Sequence, residues 1–134
     1  MILVDANIMM YAAGMDHPNK HASVALLEQV ATEAIGAAID AETLQEILHR
    51  YRAIRRWDDG KIVYDMTRRI FTKIIPITTL ELDHARGLLD EYPALMARDA
   101  LHAAVVKINN LSGICSFDHD FDLIDGIQRL EPPL

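Results

Sequence analysis

Cysteine is almost absent from this chain of 134 residues, and Cys115 is its one thiol. A single cysteine excludes an internal disulfide and any zinc site built from several thiolates, so Cys115 is predicted to be a small buried apolar side chain. Long apolar runs are also missing, because no stretch approaches the roughly 18 residues that a membrane-spanning helix needs. The first residues carry neither the positive region nor the small-residue cleavage site of a signal peptide. These absences predict a cytoplasmic protein with no membrane segment.

A surplus of positive charge is missing too. The net charge is -7, which by itself argues against nucleic acid as a partner. The charge is unevenly distributed, however: residues 49–73 hold eight Lys or Arg against three acids (+5), and the remainder holds five against 17 (-12). The basic segment is therefore either the solvated face of a helical hairpin or a surface that binds a partner.

Short apolar runs alternate with longer segments of helical character, which is the pattern of a parallel sheet covered by helices. The predicted strands are residues 2–4, 37–39, 74–77, 114–117 and 127–130. The predicted helices are residues 22–34, 41–55, 61–71, 80–92 and 97–109, with loops at 57–60 and 92–93. No internal repeat or inter-domain linker is visible. We expect one three-layer α/β/α domain over residues 1–134, with a parallel sheet of about five strands.

Carboxylates follow two of the predicted strands directly. Asp5 ends the apolar run Ile-Leu-Val, and Asp118 follows a second apolar run in ICSFDHDFD. In open parallel sheets, the carboxyl edge where such strands end is where sites form. A third acid, Asp99 in MARDALHAA, falls in the first turn of a helix, where the helix N-terminus stabilises a negative charge. Each acid alone has a structural explanation, but together they indicate a site.

The motifs that carry these acids resemble a known family. They are the opening VDAN with Tyr11 after it, LQEILHRY, RDALHAA, and SFDHDFD followed by Gly126, Leu130 and Pro132. In this order and spacing they resemble the PIN-domain nucleases, in particular the small VapC-like toxins, across essentially the whole chain. The resemblance implies a PIN-like α/β fold and a metal-dependent endoribonuclease.

The resemblance also implies a set of site residues. The catalytic acids are expected to be Asp5, Glu46, Asp99 and Asp118. A further family acid matches Asp122, so the expected metal ligands are Asp5, Asp99, Asp118 and Asp122. Asn7 and Ser116 match positions whose side chains hydrogen-bond to the ligands. The sequence departs from the family at Ala6, where a hydroxyl residue is usual, and this removes one possible hydrogen bond but no ligand.

Glu46 is assigned by the motif register, against the helical pattern. On a wheel of residues 41–55 the apolar stripe is Leu44, Ile47, Leu48, Tyr51 and Ile54, and Glu46 falls on the opposite, solvated side. One turn earlier Glu42 shares that side and is the alternative ligand.

An acidic cluster of this kind requires a counter-charge. Two carboxylates about 5 Å apart repel by roughly 3 kcal/mol at an effective dielectric of about 20, and four carboxylates form six such pairs. Ligands that are all carboxylate oxygens favour Mg²⁺ or Mn²⁺ over Zn²⁺. The expected cofactor is therefore Mg²⁺ or Mn²⁺.

The expected partners follow from the same resemblance and from the basic segment. An RNA substrate needs positive groups near the acids, and the segment supplies Arg50, Arg52, Arg55 and Arg56. These arginines are predicted to border the RNA groove or to form the surface that an inhibiting partner covers. An antitoxin protein and a homodimer are expected by analogy with the family.

Two alternative interpretations belong to different classes. Glu46 with His49, and Asp99 with His102, show the carboxylate–histidine spacing of di-iron four-helix bundles, but such a bundle has no use for the predicted strands. His49 and His102 are therefore assigned no role in the site. The second alternative is a non-catalytic PIN-like module that binds RNA or protein, and its binding would not depend on metal.

Overall fold

The computed structural model describes every residue from Met1 to Leu134. Its five strands are β1 (Ile2–Val4), β2 (Ala37–Asp40), β3 (Ile74–Ile75), β4 (Ile114–Cys115) and β5 (Arg129–Leu130). They form one parallel sheet in the order β3-β2-β1-β4-β5. Because β1 is central, its carboxyl end lies between the ends of β2 and β4. The predicted five-stranded parallel sheet is confirmed.

Six α-helices and a short 3₁₀-helix connect these strands. The α-helices are α1 (Ala6–Ala13), α2 (Lys20–Ala31), α3 (Ala41–Ala53), α4 (Trp57–Ile70), α5 (Thr79–Glu91) and α6 (Ala97–Ile108). The 3₁₀-helix spans His119–Leu123. The five predicted helices are present, with ends displaced by a few residues. None of the helices is both long and apolar enough to cross a membrane.

Alternate residues of the strands face opposite sides of the sheet and build two cores. Leu3 packs in the core that is covered by α5 and α6, whereas Val4 packs in the core covered by α1, α2, α3 and α4. Both side chains are fully buried, as the period of two in a strand requires when helices cover both faces. Cys115 is buried in the second core, as predicted. The α/β/α layering is confirmed.

Aspartates connect two strands directly to their helices. Asp5 Oδ1 accepts a hydrogen bond of 2.7 Å from the backbone N–H of Ala6, and Asp40 Oδ1 accepts one of 2.9 Å from Thr43 N–H. Asp5 and Asp40 are thus the N-caps of α1 and α3. Because no loop separates β1 from α1, the sequence pattern did not reveal α1 as a separate helix. The same turns place two carboxylates at the carboxyl edge of the sheet.

Residues 57–60 are not the predicted loop, because they form the first turn of α4. A Cβ on Gly60 would lie 2.6 Å from the Tyr51 Cβ, so the glycine allows α4 to pack closely on α3. Asp58 and Asp59 occupy the first turn, where acidic side chains favour the helix N-terminus. The glycine therefore serves helix packing here and does not break the chain into a turn.

Candidate metal centre

The carboxylate of Asp5 is buried and held by two neighbouring side chains. Ser116 Oγ donates to Asp5 Oδ2 at 2.6 Å, and Asn7 Nδ2 lies 3.3 Å from the same oxygen. Asn7 Nδ2 also donates to Ser116 Oγ at 3.1 Å, and that oxygen accepts from the backbone N–H of Asp118 at 3.0 Å. The structure thus brings four residues that the sequence singled out into one hydrogen-bonded group. Burial raises the pKa of Asp5, and nearby Glu46 adds to the rise, against the lowering by His102 and Ser116.

His102 lies at the centre of the buried acids. Its Nδ1 is 2.6 Å from Asp40 Oδ2, its Nε2 is 2.8 Å from Glu46 Oε1, and Asp5 Oδ1 is 3.8 Å from Nε2. Both ring nitrogens therefore face carboxylate oxygens, which accept hydrogen bonds, and this arrangement favours the imidazolium form of the ring. Burial disfavours this cation, but the carboxylates outweigh burial and hold the pKa of His102 well above its ordinary value. The acids around His102 therefore favour a positive charge on the ring within the cluster.

Glu46 is buried, which corrects the solvated position that the helical wheel predicted for it. Two members of the predicted apolar stripe, Leu48 and Ile54, are instead 38% and 42% exposed. The buried face of α3 is rotated toward Glu46 because His102 offers that carboxylate a buried polar partner. Glu42 is only half-buried; partial burial raises its pKa, and neighbouring Glu46 raises it further.

A second group of acids lies beside the first. Carboxylate oxygens of Asp99, Asp118 and Asp120 lie within 4.8 Å of one another, and no lysine or arginine is paired with any of the three. Burial raises the pKa of Asp99 to about 7, with Asp118 and then Asp5 as the next causes. No lysine or arginine therefore offsets the negative charge of this group by a direct ion pair.

Asp122 does not lie in this group. It is exposed, with Oδ1 3.1 Å from Arg129 Nε and Oδ2 3.3 Å from His119 Nδ1, and Arg129 is the main cause that lowers its pKa. The 3₁₀-helix has about three residues per turn, so Asp120 and Asp122 point in different directions. The structure places Asp120, which was not predicted from the sequence, where Asp122 was expected.

Three residues of the site were missed, although each had a signal in the sequence. Asp40 ends β2 as Asp5 ends β1, so the argument from strand ends applies to it equally. His102 lies three residues after Asp99 on a helix and therefore shares its face. Asp120 and Asp122 both follow Asp118 closely, at two and four residues, and the sequence alone does not show which of them faces Asp118.

A groove of about 930 Å³ lies over the acids. Its walls come from α1 and the residues after it, from α3, and from the start of α4. Arg50, Arg56 and Arg98 line the groove. Arg52 and Arg55 do not, and the Arg52 guanidinium lies 4.8 Å from the centre of the Trp57 ring. The predicted arginines thus divide into two inside the groove and two outside it.

The donor atoms of the site fit a divalent cation. Carboxylate oxygens are the ligands that Mg²⁺, Mn²⁺ and Ca²⁺ prefer, and Asp99, Asp118 and Asp120 supply them without a basic partner. Beside them the amide oxygen of Asn7 is buried without a hydrogen-bond partner, although buried acceptors are normally satisfied. A divalent cation would offset the charge of the three carboxylates.

The fold and the site define a class of protein: an α/β/α domain with a cluster of acids, able to hold a metal ion, at the carboxyl edge of its parallel sheet. Residues 2–127 match the PIN domain family, and the chain belongs to that family.

Relatives of known name and structure support the same assignment. Ribonuclease VapC13 of Mycobacterium tuberculosis is 42% identical over 130 residues, which cover 97% of this chain and 99% of that protein. The crystal structure of VapC20 from M. tuberculosis, a toxin that cleaves the sarcin-ricin loop, has a TM-score of 0.77 at 17% identity and covers 98% and 100% of the two chains. A toxin-antitoxin complex from Klebsiella pneumoniae has a TM-score of 0.64 at 22% identity, with 96% of each chain covered. The two structures are similar in fold.

Proposed function

We propose that the chain is a metal-dependent endoribonuclease and the toxin of a toxin-antitoxin pair. One observation carries the proposal: Asp5, Asp99 and Asp118 line a groove that Arg50, Arg56 and Arg98 also line, and Asp120 joins Asp99 and Asp118 in a group of carboxylates without a basic partner. The 42% identity to a named VapC ribonuclease supports the same chemistry. RNA as the substrate would place the protein in the cytoplasm, and residues 1–134 would act as one PIN-like unit.

The metal would be Mg²⁺ or Mn²⁺, held by Asp99, Asp118 and Asp120 with Asp5 beside them. When bound, such a cation polarises a phosphate oxygen and lowers the pKa of a water in its shell. The chain's own residues orient this centre. Ser116 and Asn7 fix the Asp5 carboxylate, and a carboxylate oxygen of Glu46 lies within 4.8 Å of one of Asp5.

The groove suits an RNA backbone because the arginines that line it offset the negative charge of its acids. Arg50, Arg56 and Arg98 lie along it, so phosphates that approach the acids also meet guanidinium groups. Arg56 is held by Asp59 at 2.7 Å in an exposed pair, which leaves the guanidinium accessible. An antitoxin would inhibit by covering this groove, and a homodimer is proposed by analogy with the family.

Cleavage of RNA tests the proposal. The purified chain, incubated with a total RNA pool and Mn²⁺, should produce discrete fragments. Asp5→Asn should produce none, because it leaves the fold intact but removes a charged group from the centre. An inactive parent under these conditions, or an equally active Asp5→Asn variant, would remove the nuclease assignment.

The groove itself is tested by a matched pair of double variants in the Asp5→Asn background, so that bound RNA is not cut. Arg50→Ala with Arg56→Ala should weaken RNA binding and reduce its salt dependence, by up to roughly 0.7 in log-log slope for each phosphate that the variant no longer neutralises on a single strand. Arg52→Ala with Arg55→Ala removes the same charge outside the groove. Equal affinities and slopes for the two double variants would show that the arginines in the groove contribute no more to RNA binding than those outside it.

A further inference from the structure

His102 contacts three acids of the site, although the proposed chemistry assigns it no part. It is fully buried on α6, and its ring contacts Asp40 at the end of β2, Glu46 on α3 and Asp5 at the end of β1. A histidine that only filled space in the core would not need two carboxylates within 3 Å of its ring nitrogens. Removing a histidine and two carboxylates from water costs desolvation free energy, which only well-formed contacts between them offset.

Asp40 determines the orientation of the His102 ring. Asp40 Oδ1 caps α3 by accepting from Thr43 N–H at 2.9 Å and from Thr43 Oγ1 at 3.2 Å. These bonds fix the carboxylate, and its second oxygen lies 2.6 Å from His102 Nδ1. An imidazole ring is rigid, so anchoring Nδ1 aims Nε2 at one point, and Glu46 Oε1 lies there at 2.8 Å.

Glu46 depends on such an anchor. A glutamate side chain has three rotatable bonds, and ordering it costs conformational entropy that a partner must offset. No lysine or arginine pairs with Glu46, and His102 is its one hydrogen-bonding partner in the structure. Without the ring, repulsion from Asp5 would favour rotamers that carry the carboxylate away from the centre.

We propose that His102 is a positioning residue: anchored by Asp40, it holds the Glu46 carboxylate beside Asp5 at the metal centre through its Nε2 hydrogen bond. The inference rests on the proposed function, because it assigns a role toward the metal of the same site. It adds Asp40 and His102 to the residues on which metal binding depends.

Two neutral amides separate the two ring nitrogens. The amide nitrogen of glutamine reaches the position of Nε2, so His102→Gln keeps a donor to Glu46. The amide nitrogen of asparagine reaches the position of Nδ1, so His102→Asn keeps a donor to Asp40 and loses the one to Glu46. Both variants replace the ring with a neutral amide, so any effect of charge is the same in the two. The difference between them therefore reports the position of Glu46.

The measurement is Mn²⁺ affinity of the metal-free protein, by titration, with kcat and KM for RNA as a second readout. Loss of a hydrogen bond that orients a group at a metal centre typically costs 10- to 100-fold in metal affinity, so His102→Gln should bind Mn²⁺ at least about tenfold more tightly than His102→Asn. The kcat of His102→Asn should fall while KM stays near that of the parent. Equal affinities in the two variants would overturn the proposal.

A double-variant comparison tests that the effect passes through Glu46. In a Glu46→Gln background the two His102 variants should bind Mn²⁺ equally, because the group being positioned is gone. A difference that persists there would contradict the proposal. If the parent binds no Mn²⁺, the metal centre itself is refuted and the inference with it, whereas a parent that binds beside two equal variants refutes the inference alone.

Nuclear magnetic resonance of the metal-free chain keeps the proposal testable if His102→Asn does not fold. The ring signals of His102, identified by their absence in His102→Gln, should show a proton on Nε2, the nitrogen that faces Glu46. Glu46→Gln should displace the Nε2 proton signal and leave the Nδ1 signal nearly unchanged. A ring without a proton on Nε2, or an Nε2 signal that Glu46→Gln does not displace, would overturn the proposal.

Discussion

Replacing Asp99 with asparagine should stabilise the metal-free protein while removing its activity. Burial, together with the charges of Asp118 and Asp5, raises the pKa of Asp99 from 3.8 to about 7. An acid whose folded pKa lies above its unfolded pKa binds more protons in the folded state, so it lowers stability as the pH rises from about 4 to about 7. Asparagine keeps the shape of the side chain and has no charge to desolvate.

The gain can be sized from the shift. About three pKa units correspond to about 4 kcal/mol, and solvent screening at a site that opens onto a groove reduces this to about 2 kcal/mol. Loss of the acid at the start of α6 subtracts a further 0.3 to 1 kcal/mol or so, since a carboxylate there favours the helix N-terminus. A net gain of about 1 to 2 kcal/mol at pH 8 corresponds to roughly 4 to 7 °C in Tm for a chain of this length.

The assay is thermal unfolding of Asp99→Asn and the parent, both with chelator, at pH 8 and at pH 4. The gain should be complete at pH 8 and should shrink toward pH 4, where the parent's Asp99 is protonated in the folded state and about half protonated in the unfolded chain. Asp122→Asn is the control, because the pKa of Asp122 is lowered by Arg129 and its loss should not stabilise at pH 8. A less stable Asp99→Asn at pH 8, or a gain independent of pH, would refute the reasoning.

Two further comparisons test the membership of the site by cleavage of RNA. Glu46→Gln should lower kcat far more than Glu42→Gln, since Glu46 is buried against His102 whereas Glu42 is half-buried; a larger loss at Glu42 would reverse the assignment. Asp120→Asn should reduce Mn²⁺ affinity and cleavage, whereas Asp122→Asn should leave both near the parent values, because Asp122 is turned to Arg129. Loss of Mn²⁺ binding in Asp122→Asn would show that the side chain moves to the centre when metal binds.

The sheet could be predicted because its strands are apolar runs bounded by turns, and burial on both faces leaves a continuous signal. Helix α1 could not be predicted, because Asp5 directly follows β1 and is itself the N-cap of α1, so that no loop marks the boundary. Gly60 is an opposite case, in which a residue typical of turns lies inside a helix because the Tyr51 side chain leaves no room for a Cβ.

The site was predicted where strand ends and motifs place acids, and less well where partners from other elements decide. Glu46 is buried because α6 brings His102 against α3, and no periodicity within α3 contains that contact. The choice between Asp120 and Asp122 depends on the turn of a 3₁₀-helix and on Arg129 from the last strand. Such long-range pairings require the three-dimensional structure.

Metal dependence of RNA cleavage tests the central claim most directly. The purified chain is stripped with chelator, mixed with RNA, and then supplied with Mn²⁺ or Mg²⁺ in excess, beside Asp118→Asn handled in the same way. Cleavage should be absent in chelator, return with the metal in the parent, and stay absent in the variant. RNA that is bound equally with and without metal and never cut would contradict the account and identify the chain as a PIN-like binding module.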